Sequence, residues 1–197
     1  MIIDPEQIAA VITEIAESQI MARFGELAPD EVREKSSKTD LVTVVDEATE
    51  KELAKALRGI YPAAEVIGEE GVAASPGADR ALDGDGAFWI VDPLDGTRNF
   101  VRGKREFGTI VALAVNGETR MGWIYGAPDG LSVVAEKGSG VSINNEKLAS
   151  PTPAAENSQK PVGMKSAYWL KDEWRNRIPQ NLDDKFAVKA GHCSAYS

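Results

Sequence analysis

One cysteine, Cys193, and one histidine, His192, occur in the 197 residues. A lone cysteine excludes any disulfide within the chain and fits a reducing compartment, so a cytoplasmic location is expected. The adjacent His192 and Cys193 are too few for a zinc site and lack the partner a nucleophilic scheme needs. Both read as packing or pocket-mouth residues. No apolar run approaches the length of a membrane span. The opening "MIIDPEQIAA" has neither the basic region nor the cleavable apolar region of a secretion signal. Cations are also scarce, 22 Lys and Arg against 31 Asp and Glu, for a formal net charge of −9. A field of that sign repels nucleic acid and anionic membrane, so neither is an expected partner. An anionic ligand would need a local device to overcome the repulsion, and a divalent cation is the simplest one.

The apolar pattern that is present predicts an α+β plan. Ile8, Val11, Ile12 and Ile15 fall on one helical face that Ala22 continues, so a helix is expected over 5–24. Ile20 and Phe24 sit off that stripe. "DLVTVVD", Asp40 to Asp46, reads as an extended segment entering a second helix, with Asp46 as its N-cap. Leu53, Leu57 and Ile60 form that helix's buried stripe, and Gly59 and Pro62 mark its end. A short strand over 65–68 leads into Glu69 and Glu70, and a loop occupies 75–87. Strand-like runs then recur at 88–91, 109–115, 121–125, 132–135 and 141–143, separated by turn signals such as "NGE" and "APDG". They predict an antiparallel meander, with Trp89 and Trp123 in its core. The stretch 150–161 reads as a linker and 166–177 as a helix carrying Trp169 and Trp174. The chain therefore divides into an α+β part, 1–150, and the start of a second part, 151–197.

The chemistry concentrates in "FWIVDPLDGTRNF", Phe88 to Phe100. A buried strand runs into Asp92 and, three positions on, Asp95. Pro93 has no N–H to give a ladder and is expected to stop the strand. The turn lets the two aspartates converge, and converging carboxylates repel unless protonated or bridged by a cation. Oxygen ligands with one or two carboxylates per ion are what magnesium prefers. Thr97 or Asp95 can cap a helix whose free N–H groups suit a phosphate. The plain alternative is that "DPLDG" is only a turn, since Asp, Pro and Gly all favour turns. Both readings stand on spacing alone.

Three motifs in order bear on the choice: "KSSKTDLVTVVDEATE" from Lys35, "GEE" from Gly68, and "WIVDPLDGTRNF". Together they resemble the inositol monophosphatase family of magnesium-dependent, lithium-sensitive phosphatases, from the first helix to about Leu148. The resemblance implies a layered αβαβα sugar-phosphatase fold and hydrolysis of a small phosphorylated substrate by a metal-activated water. It implies that Glu69, Asp92 and the Leu94 carbonyl bind one Mg2+, and that Asp92 and Asp95 bind a second. Thr97 would orient the attacking water with support from Asp46, and the amides of Gly96 and Thr97 would hold phosphate. Glu70 is expected to be a solvated neighbour of Glu69. Relatives are commonly homodimers, so a dimer is implied.

Two departures from the family pattern matter. The family supplies a further metal-binding aspartate from a "WD-x-A-A-G" motif, and no such motif occurs here. The chain is therefore expected to be cut short within its C-terminal α/β half. On that account a metal- and phosphate-binding module without strong catalysis stands as the alternative to an enzyme. Second, Arg98 is succeeded by Arg102, Lys104 and Arg105, a basic stretch in an acidic chain. It reads either as a solvated helix end or as a clamp for a second anionic group on the substrate. Arg98 is the residue nearest the site. Inositol monophosphate is the default substrate; histidinol phosphate, fructose bisphosphate and a nucleotide bisphosphate are the alternatives.

Overall fold

The computed structural model describes residues 3–37, 40–75, 77, 82, 84–149, 162–165 and 187–190, with 36, 37, 40 and the last two stretches described by backbone alone. The expected linker over 150–161, the helix over 166–177 with Trp169 and Trp174, and the His192–Cys193 pair lie outside the described residues.

Helix α1 (Pro5–Ile15) starts with Asp4 as N-cap, its side chain accepting from the Glu6 N–H at 3.0 Å, and with proline in the first turn. The helix expected over 5–24 does not stay α-helical. It widens to a π turn over Ala16–Ile20 and tightens to a 3-10 turn over Met21–Arg23. A π turn takes more residues than an α turn and so rotates the side chains beyond it about the helix axis. Ile20 is carried fully into the core, as expected of a helix covered on more than one side, while Ala22, expected on the buried stripe, faces solvent.

A hairpin of β1 (Val32–Ser37) and β2 (Asp40–Thr43) precedes α2 (Val44–Ile60). The N-cap of α2 is Thr43, not Asp46. The Thr43 hydroxyl accepts from the Val45 N–H at 3.1 Å, and Asp46 Oδ2 accepts from the Thr43 N–H at 2.8 Å. This reciprocal box starts the helix three residues earlier than an Asp46 cap would.

The main sheet holds seven strands in the order β3-β4-β5-β6-β7-β8-β9. These are β3 (Ala64–Gly68), β4 (Ala87–Asp95), β5 (Gly108–Val115), β6 (Glu118–Gly126), β7 (Leu131–Glu136), β8 (Gly140–Ile143) and β9 (Glu146–Lys147). From β4 onward every pairing is antiparallel, which is the expected meander. Within this sheet only β3 and β4 run parallel, joined by a crossover that includes the short α3 (Glu69–Ala74). A further pair, β10 (Val162–Lys165) and β11 (Ala187–Ala190), is parallel.

Helices α1 and α2 pack against each other and against the sheet, α1 over β6 and β7, α2 over β3 and β4. Ile8, Ile12, Leu53, Leu57, Trp89 and Trp123 are almost wholly buried there. Each such aliphatic side chain contributes about 1.5–3 kcal/mol relative to exposure. Trp89 and Trp123 meet at 5.8 Å between ring centroids, and the Trp123 indole N–H donates to the Pro5 carbonyl at 2.9 Å. In the same core Phe100 of α4 (Thr97–Val101) packs with Phe24 and Phe107, edge to face with Phe107 at 5.2 Å. This packing fixes the segment just beyond the aspartates.

Candidate active site

The register between β3 and β4 gathers the acidic residues. Gly68 pairs with Val91 at the last step of the β3–β4 ladder, so Glu69 and Asp92 follow it at the same level. The carboxyl ends of neighbouring parallel strands are where open sheets place ligands. Pro93 does not stop β4 as expected. The strand continues to Asp95, and the register with β5 slips between Asp92, opposite Ile110, and Asp95, opposite Gly108. Proline lacks the N–H a regular ladder needs, and the irregularity accommodates it. The buried Thr109 hydroxyl donates to the Pro93 carbonyl at 2.9 Å and closes the irregular stretch.

Neither Thr97 nor Asp95 caps α4. Gly96 holds the N-cap position with φ +92°, in the left-handed region, and makes no side-chain cap. A Cβ on Gly96 would stand 2.8 Å from the Glu106 carbonyl oxygen, so space and backbone both demand glycine. With no capping duty, the Thr97 hydroxyl faces Asp46 Oδ1 at 2.8 Å and the Leu94 carbonyl at 2.9 Å. Asp46 thus serves two places, its own helix through Oδ2 and Thr97 through Oδ1. It is 1% exposed. Burial pushes its pKa above the ordinary carboxylate range, while the hydrogen bonds from Thr43 and Thr97 pull it back.

Asp92 is pushed much further up. Burial is the main cause, then the negative charges of Glu69 and Asp95 and a hydrogen bond shared with Glu69; the Leu94 N–H donates to its Oδ1 at 3.2 Å. Glu70 is not the solvated neighbour expected. Its side chain is 10% exposed, and Lys35 Nζ from β1 donates to both Glu69 Oε1 and Glu70 Oε1 at 2.7 Å. Burial raises Glu70 to about 7 against the pull of Lys35. For Lys35, burial works downward but the two carboxylates outweigh it, and the net shift is upward.

The match to a family model over residues 4–187 is to the inositol monophosphatase family. The chain belongs to that family. Human inositol monophosphatase 1 is 39% identical over 114 residues, which are 58% of this chain and 40% of that one. Inositol-1-monophosphatase of Bacillus subtilis is 36% identical over 118 residues, 60% of this chain and 43% of its own. The chain thus matches less than half the length of these two relatives. The fold is that of an inositol monophosphatase from Thermotoga maritima, with TM-score 0.71 at 23% identity over 95% of this chain and 68% of the other. The α+β architecture read from the sequence is therefore the family's.

The donors expected from the resemblance, three carboxylates and the Leu94 carbonyl, are all oxygen, and oxygen donors suit a hard divalent cation. Besides burial, the neighbouring charges of Glu69 and Asp95 push the Asp92 pKa up, and that repulsion is what a cation would relieve. Among the described residues, though, no three carboxylate, histidine or cysteine groups stand close enough to hold an ion as they lie. Glu69, its side chain 43% exposed, is paired with Lys35 at 2.7 Å. Arg98 sits one residue beyond Thr97 on α4, while Arg105 is taken up by Asp129 at 2.9 Å and by the Pro128 carbonyl. The basic stretch is therefore not a single clamp. Lys35, Thr109 and Glu50 emerge only in three dimensions. Lys35 and Glu50 bracket the first motif, but their contacts cross 34 and 20 positions and leave no local mark.

Proposed function

We propose that this chain carries magnesium-dependent phosphomonoesterase chemistry on a small polyol or sugar phosphate, with inositol monophosphate as the first substrate to test. The observation that carries the reading is the Thr97 hydroxyl, held against Asp46 and the Leu94 carbonyl where the strand ends release Glu69 and Asp92. In this reading Glu69, Asp92 and the Leu94 carbonyl hold one Mg2+, and Asp92 and Asp95 hold another. When bound, the ions supply Lewis-acid activation of a water and neutralise charge on the leaving oxygen. Asp46 accepts the Thr97 proton, which leaves a Thr97 lone pair to receive a proton from the attacking water. The amides of Gly96 and Thr97 face the phosphate. In this reading Arg98 meets a second anionic group on the substrate, which would favour fructose bisphosphate or a nucleotide bisphosphate over inositol monophosphate and histidinol phosphate.

The test is phosphate release from those four esters, with Mg2+ and with a chelator. Release that needs Mg2+ supports the proposal, and Arg98→Ala should then lower turnover of the doubly anionic esters more than that of inositol monophosphate. Saturable binding of Mg2+ and phosphate with no release from any ester would replace the enzyme by a binding module.

A further inference from the structure

The acidic residue the proposed chemistry leaves without a role is Glu50, on α2. The segment it touches is α3, which begins with Glu69 directly after β3. The N-cap of α3 is Gly68, which has no side chain to satisfy the helix's first N–H groups. Glu50 does it from another element. Its Oε2 accepts from the Glu70 N–H at 2.7 Å and its Oε1 from the Gly71 N–H at 2.9 Å. The carboxylate lies over Gly68 so closely that a Cβ there would come within 2.1 Å of Glu50 Cδ. A side chain at 68 and the Glu50 carboxylate therefore compete for the same space.

We infer that Glu50 is a positioning residue for Glu69. Glu69 lies between Gly68, against which Glu50 packs, and Glu70, whose N–H Glu50 holds. With its side chain 43% exposed, Glu69 has little packing to aim it, so its direction depends on its polar partners, Lys35 among them, and on the backbone of that turn. Helix α2 also carries Asp46 one turn earlier, and i and i+4 share a face. One helix therefore sets Thr97 through Asp46 and Glu69 through Glu50. A serine or threonine at 68 could satisfy a first-turn N–H without adding charge to an acidic pocket. A carboxylate reaching in from α2 instead ties the turn to the element that holds the other half of the site. Partners of this outer kind commonly change metal affinity by roughly 10–100-fold when removed.

The inference rests on Glu69 being a metal ligand, so the test carries a Glu69→Gln control. Tb3+ is titrated by luminescence into the full chain and its variants, and amide hydrogen exchange is monitored at Glu70 and Gly71. Glu50→Gln keeps the size but offers one acceptor in place of two. It is expected to bind Tb3+ at least about tenfold more weakly and to exchange faster at those amides. Gly68→Ala leaves Glu50 in place chemically but evicts its carboxylate, and the same weakening is expected. Adding Gly68→Ala to Glu50→Ala should weaken binding no further, since the clash is gone. If Glu50→Ala fails to fold, Glu50→Gln and Gly68→Ala decide. Glu50→Gln binding Tb3+ within twofold of the parent, while Glu69→Gln binds it weakly, overturns the inference alone. A loss of thermal stability without a loss of affinity does the same. Unaltered binding by Glu69→Gln, or no saturable binding by the parent, overturns the metal-ligand reading as well.

Discussion

Thr97 has one proton and two acceptors, Asp46 Oδ1 and the Leu94 carbonyl. Only one can be served at a time, and the charged one is the stronger partner. The residue is therefore oriented rather than buried for stability, and removing its hydroxyl should affect chemistry far more than folding. Thr97→Val keeps the branched shape and deletes the oxygen. Phosphate release from inositol monophosphate is expected to fall about 100-fold or more, with the urea midpoint little changed. Asp46→Asn should add little to that loss in the double variant, because both changes break one unit. Losses that multiply would separate Asp46 from Thr97. Asp46→Asn alone should also weaken the start of α2, since Asp46 Oδ2 holds the Thr43 N–H. At this scale the sequence was readable for identity but not for aim. The pair Asp46 and Thr97 could be named from the motifs; that Gly96, and not Thr97, fills the N-cap position could not, because it results from the crowding of Gly96 against Glu106 and Phe107.

Elements were legible where their signal is local. The alternating runs of β5 to β8 and the stripe of Leu53 and Leu57 describe themselves, because burial of one face recurs at a fixed period. The start of α2 was also written locally, as Thr43 three residues before Asp46, but the stronger acid drew the cap to itself. The end of α1 was not legible, since a π turn depends on what the helix packs against. That turn bears Glu17, whose Oε1 accepts from the Tyr125 hydroxyl of β6 at 2.7 Å. Burial first, and then Glu17, push the Tyr125 pKa up to about 12 from 10.0. A raised pKa means the folded state favours the protonated phenol. The stabilisation is therefore whole below pH 10 and is lost as pH rises through 12. Tyr125→Phe should cost about 1.5 kcal/mol at pH 8, the scale of a hydrogen bond to a charged group. The gap between parent and variant in urea unfolding should narrow between pH 10 and 12. A gap that stays constant with pH would mean the ring's packing, not the hydroxyl, ties β6 to the π turn.

The whole molecule was least legible, because its site is made by register rather than spacing. Glu69 and Asp92 lie 23 positions apart and meet only because Gly68 pairs with Val91 in the one parallel step of the main sheet. The result is an acidic centre in a chain of net charge −9, with Lys35 beside Glu69 and with burial and the neighbouring carboxylates pushing the Asp92 pKa up. Such a centre stores repulsion that a divalent ion can relieve, so ion binding should appear as folding stability. At a free Mg2+ concentration ten times the dissociation constant the gain is roughly 1.4 kcal/mol, rising by a similar step with each further tenfold. Urea unfolding in MgCl2 is expected to show that logarithmic rise, while NaCl at equal ionic strength, which only screens surface charge, gives a smaller change. Asp92→Asn separates the two effects. It replaces a carboxyl by a neutral group of the same shape, so with chelator present it should be as stable as the parent or more so. With MgCl2 present it should lose most of the parent's gain, because the carboxylate shared between both proposed ion positions is gone. A variant that unfolds in chelator would make Asp92 a structural residue. One that keeps the full magnesium gain would move the ion away from the ends of β3 and β4.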